Sequence, residues 1–108
     1  MNMFGDSSLD AELRVIAQVV GQASGACEVL LFGSVARGEG GPDSDLDLLL
    51  VLEDGADRRT ATVQARRALG RQRFALDLVA VTERDYHDPH NVFIEAIRPE
   101  LRGLYAYV

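Results

Sequence analysis

An α/β fold, a mixed sheet packed with helices in one domain, is predicted by three observations. Apolar segments of helical period alternate along the chain with short apolar runs of strand length. The 108 residues suit one core, with 47% hydrophobic and 26% charged residues, an ordinary globular balance. No repeat, low-complexity tract or linker divides them.

Leu9, Leu13, Ile16, Ala17 and Val20 recur at helical spacing and predict a first helix, capped among Asp6, Ser7 and Ser8 and ended near Gly25. A first strand is expected over 28–32, with a turn at Gly33-Ser34 directly after it. The loop Glu39-Gly40-Gly41-Pro42 leads to a second strand over 45–52, paired with the first as a hairpin. A second helix is predicted over 57–72, capped by Asp57, with Ala61, Ala65, Ala68 and Leu69 on its buried side. Strand three follows over 74–81. Thr82-Glu83-Arg84-Asp85 begins a helical turn, Asp88-Pro89 interrupts it, and Phe93, Ile94 and Ile97 resume a helix that Pro99 closes. Residues 103–108 are expected to form a last, short strand.

Composition excludes several classes. The longest apolar runs are strand-sized, so no membrane-spanning segment is expected, and Met1-Asn2-Met3-Phe4-Gly5-Asp6 lacks the features of a secretory signal. A cytoplasmic protein is expected. Cys27 has no second cysteine to pair with and reads as a buried structural thiol at the start of a strand. His87 and His90 flank Asp88-Pro89 without a paired ligand set and read as surface histidines. The formal charge of −6 argues against stable DNA binding. All 11 cationic residues are arginines, and Arg58, Arg59, Arg66, Arg67, Arg71 and Arg73 fall in one acid-free stretch. That stretch reads either as a solvated helix face or as a docking surface for an acidic partner or for ligand phosphates.

The chemistry lies between residues 33 and 47. Gly33-Ser34 follows the apolar run Val29-Leu30-Leu31-Phe32, so the turn's backbone amides and the Ser34 hydroxyl are placed to donate to a phosphate at a strand end. Ten residues later Asp45-Leu46-Asp47 opens a second apolar run. On a strand, residues i and i+2 share one face about 6.6 Å apart, so the two carboxylates can converge on divalent ions while Leu46, Leu48, Leu50 and Leu52 point into the core. Asp77 stands alone in Phe74–Val81 and shares a strand face with Ala75, Val79 and Val81. Aspartate is costly in a buried strand, so three of them call for a rim or a cation. Arg37 either neutralises a triphosphate or is simply solvated, and Ser44 either orients Asp45 or caps the loop.

This spacing of Gly33-Ser34, ten residues, Asp45-Leu46-Asp47 and a later strand carboxylate, Asp77, resembles the minimal nucleotidyltransferases of the DNA polymerase beta-like superfamily. The resemblance covers nearly the whole chain. It implies a single nucleotidyltransferase domain over 1–108, with Gly33 and Ser34 on the nucleotide phosphates, Asp45 and Asp47 on two Mg2+ ions, and Asp77 at the catalytic position. ATP is the implied substrate, and attack at its α-phosphorus would release pyrophosphate. Proteins similar to this one are often the antitoxin half of a bacterial pair whose toxin is a HEPN-fold ribonuclease, which they adenylylate on a tyrosine. A HEPN toxin is therefore the implied partner. The alternatives are a non-catalytic antitoxin that acts by occlusion and a transferase acting on a small-molecule hydroxyl; a DNA repair polymerase is disfavoured by the charge.

Overall fold

The first helical stripe forms α1 (Ser7–Ser24), whose Leu9, Leu13, Ile16, Ala17 and Val20 are all buried. The computed structural model describes residues 7–41 and 43–107. The cap expected among Asp6, Ser7 and Ser8 lies outside the described residues and side chains, as does Val108, while the last strand ends at Ala106 rather than continuing toward 108.

Four strands make one mixed sheet in the order β3-β2-β1-β4, with β1 at Glu28–Phe32, β2 at Leu46–Leu52, β3 at Leu76–Thr82 and β4 at Arg102–Ala106. The expected hairpin is present: β1 and β2 are antiparallel, with Glu28 opposite Val51 and Phe32 opposite Asp47. The chain then crosses through a helix, as a parallel pairing requires, and β3 runs parallel to β2 with Asp47 in register with Asp77. On the far side β4 pairs antiparallel with β1.

That crossover helix, α3 (Arg58–Leu69), begins where the Asp57 carboxylate accepts from the Thr60 amide at 3.0 Å. It ends sooner than the expected residue 72, because Gly70 adopts φ +66 and turns the chain away. Ala61 and Ala65 are buried and Leu69 packs partly against the core, but Ala68 is exposed. Three residues fall short of a full turn, so position 68 sits on the flank of the stripe. Strand three starts at Leu76 rather than Phe74, whose ring packs on the core with the Arg73 guanidinium 4.4 Å above it.

Alternation along the strands builds two cores. Leu46, Leu48, Leu50 and Leu52 join Val29, Leu31 and the stripes of α1 and α3 on one face. The other face, expected to serve only the carboxylates, buries Leu49 and Val51 completely, together with Leu30, Val81, Ile94 and Ile97. The cover is α4 (Glu83–His87) and α5 (Val92–Ile97), capped by the Thr82 hydroxyl and the Asn91 side chain respectively. A 3-10 turn, Arg98–Glu100, holds Pro99 and leads into β4. The middle of the carboxylate face is thus apolar, with Asp47 and Asp77 at the end where β2 and β3 begin and Glu28 at the other.

Candidate active site

A sharp turn joins β1 to α2 (Gly33–Ala36), a four-residue helix where a simple turn was expected. Gly33 has φ +82, in the left-handed region that glycine enters without a Cβ penalty. Space imposes the same choice: a Cβ at position 33 would overlap Asp47 Oδ2 and lie 3.0 Å from its Cγ. Backbone and carboxylate meet because Phe32 is the strand partner of Asp47. Ser34 follows half-buried, its carbonyl accepting from the Glu39 amide at 2.9 Å. Among the described residues its hydroxyl has no hydrogen-bond partner.

Parallel register places Asp77 beside Asp47, and both side chains project from the same sheet face. Asp45 lies just before β2 and is exposed, as is Asp77, while Asp47 is half-buried between them. The Asp47 carboxyl is pushed up from 3.8 to about 6, first by desolvation, then by the charge and hydrogen bonding of Asp77 and the charge of Asp45. Arg37 opposes this shift without cancelling it. The cluster therefore carries excess negative charge, the condition under which a divalent cation is favoured over a proton. Asp47 and Asp77 are the pair already assembled. Among the described residues no three acidic, histidine or cysteine side chains stand grouped as metal ligands, although the charge of Asp45 reaches Asp47.

Arg37 follows the last residue of α2 and is engaged by two acids, Nε with Glu39 Oε1 at 3.1 Å and Nη1 with both Glu100 carboxylate oxygens at 3.2 Å. Glu100 also accepts the Gly33 amide. It was not anticipated from the sequence, where it is one acid after Pro99, 67 residues from Gly33, with no local pattern to single it out. Ser44 caps the loop, its hydroxyl accepting from the Gly41 amide at 2.7 Å.

The remaining candidates lie elsewhere. His87 and His90 are exposed on and just beyond α4. Cys27 is half-buried, and burial together with Glu83, Glu53 and Glu28 pushes its thiol up, away from nucleophilic character. A cleft of about 380 Å³ lined by Gln22, Cys27, Glu53, Tyr105 and Tyr107 opens at the opposite end of β1 and β2 from Asp47. All six clustered arginines are exposed; Arg73 pairs with Glu12 at 2.7 Å and Arg66 donates to the Leu76 carbonyl at 3.0 Å, next to Asp77.

A glycine turn closed over one strand carboxylate, with a second carboxylate in register on the parallel neighbour, is thus assembled at one end of the mixed sheet. The chain belongs to the nucleotidyltransferase domain family, which matches residues 13–103. The fold is also similar to a solved structure from Sulfolobus solfataricus described as a candidate nucleotidyltransferase. That protein is 17% identical, with a TM-score of 0.61 over 90% of this chain and 83% of its own. No curated protein matches the chain.

Proposed function

We propose that this nucleotidyltransferase moves AMP from ATP, with Mg2+, to a tyrosine hydroxyl of a HEPN-fold ribonuclease toxin and so acts as its antitoxin. The observation that carries the reaction is the Asp47–Asp77 pair beside Gly33. Asp45, Asp47 and Asp77 are the residues that would hold the metal, which when bound supplies charge neutralisation to the triphosphate and acidifies the acceptor hydroxyl. Gly33 admits the close approach of backbone and carboxylate, and the Ser34 hydroxyl supplies a donor for a phosphate oxygen. Asp77 accepts the acceptor's proton as its oxygen bonds to the α-phosphorus. The bond from that phosphorus to the bridging oxygen breaks, and pyrophosphate leaves with its electron pair.

Support for a protein-borne acceptor comes from exposure: Asp45 and Asp77 stand at an open rim rather than in an enclosed cavity. A tyrosine phenol, with an ordinary pKa of about 10, loses its proton more readily than an aliphatic hydroxyl. Incubation of the protein with ATP, Mg2+ and the helical toxin, read by intact mass, should add one or more adenylate units to the toxin. Silencing of the toxin without a change in mass, with each of the four nucleotides supplied, would replace catalysis by occlusion.

A further inference from the structure

We propose that Glu100 is a positioning residue for nucleotidyl transfer, clamping both ends of α2 so that Gly33 and Ser34 stay over Asp47; this rests on the reaction proposed above. A four-residue helix has too few internal hydrogen bonds to hold itself, and its first amides are orphans. The residue at its N-cap is Phe32, which offers no capping side chain. Glu100 supplies the missing acceptor from the other side of the sheet by taking the Gly33 N–H.

The same carboxylate engages Arg37 at the C-terminal end of α2 through both oxygens, each at 3.2 Å. One side chain therefore fixes the first amide of the helix and the residue that closes it. Glu100 is itself well anchored. It ends the 3-10 turn that contains Pro99, the Leu101 amide bonds back to Arg98 at 3.3 Å, and β4 begins one residue later, pairing with β1. Its side chain is only 17% exposed, which protects the contact from water. The path from β4 through Glu100 to α2 thus returns to Gly33, whose Cα faces Asp47.

Glu100→Ala and Glu100→Gln test this, because glutamine keeps an acceptor for the Gly33 amide while alanine does not. Amide exchange at Gly33, followed by NMR, should speed up about tenfold or more in the alanine variant and return toward the parent rate in the glutamine variant, with the melting temperature of both close to the parent. The KM for MgATP should rise about tenfold in Glu100→Ala and recover to within about threefold in Glu100→Gln.

Unchanged Gly33 exchange in Glu100→Ala overturns the clamp whatever the activity. Faster exchange with an unchanged KM makes the contact structural only and also overturns the proposal. Tighter MgATP binding by the alanine variant would mean that Glu100 competes with the phosphates, again overturning it. A parent protein that neither binds MgATP nor transfers AMP sinks the functional reading itself, and this proposal with it.

Discussion

Gly33 and Asp47 share one small volume at the head of the sheet, where the Asp47 carboxylate takes the space that a Cβ on residue 33 would need. Strand pairing brings them together through Phe32, and the positive φ at Gly33 turns the chain into α2 at that point. Two separate constraints, dihedral and steric, thus fall on the same residue.

Gly33→Ala violates both. It should destabilise the fold by about 1–3 kcal/mol, as a strained non-glycine backbone does, and lower transfer about 100-fold by displacing Asp47 from its place. Thermal melts and a labelled-nucleotide transfer assay check the two effects. Activity within a few-fold of the parent would make the close approach incidental.

Asp47 sets a pH dependence. Its folded carboxyl titrates near 6 against an ordinary 3.8, so the native state holds this proton more tightly than the unfolded chain does. The resulting stability is present below about pH 4, declines as pH rises toward 6, and is gone above it. Metal-free Asp47→Asn should therefore be more stable than the parent at pH 7–8, by ~1 kcal/mol once solvent screening is discounted, and no different near pH 3. Mg2+ should narrow that gap by stabilising the parent. Denaturation at several pH values, with and without Mg2+, measures it; a parent that is more stable at pH 8 than at pH 5 without metal would contradict the assignment.

The arginine face offers a test of partner docking. Arg67 and Arg71 are exposed, and neither makes the backbone contact of Arg66 or the Glu12 pair of Arg73. Arg67→Glu with Arg71→Glu should weaken association with an acidic partner about tenfold and flatten its salt dependence, leaving nucleotide affinity unchanged. Isothermal titration at two ionic strengths reads both. If association and its salt slope stay as they were, the face is only solvated.

Much of this arrangement was legible in the sequence, for identifiable reasons. Period-two leucines in β2 and the five-residue stripe of α1 fix faces through side-chain geometry alone, and β1 spans the expected 28–32. Boundaries set by backbone conformation were less visible. Gly70 ends α3 through a dihedral, and α2 forms where Gly33-Ser34 suggested only a turn. Leu49 and Val51 have the parity of Asp47, and nothing local announced that α4 and α5 would cover them. The Asp45-Leu46-Asp47 spacing is local and readable from the chain, whereas the placement of Asp77 beside Asp47 comes from the parallel register of β2 and β3. Glu100 was missed because its partners are 63 and 67 residues away, a separation that only the completed sheet closes.

The strand order carries a consequence for how such a site can diversify. Asp47 comes from β2, flanked on both sides by other strands, while Asp77 comes from β3, an edge strand with a neighbour on one side only. In the proposed reaction the metal-binding Asp47 is therefore built into the interior of the sheet, where any shift must be shared by two ladders, while Asp77, assigned to the acceptor, lies along a border that another molecule can approach without parting any strands. Under that proposal, substitutions along the border would exchange one acceptor for another while the residues assigned to the triphosphate stay unaltered.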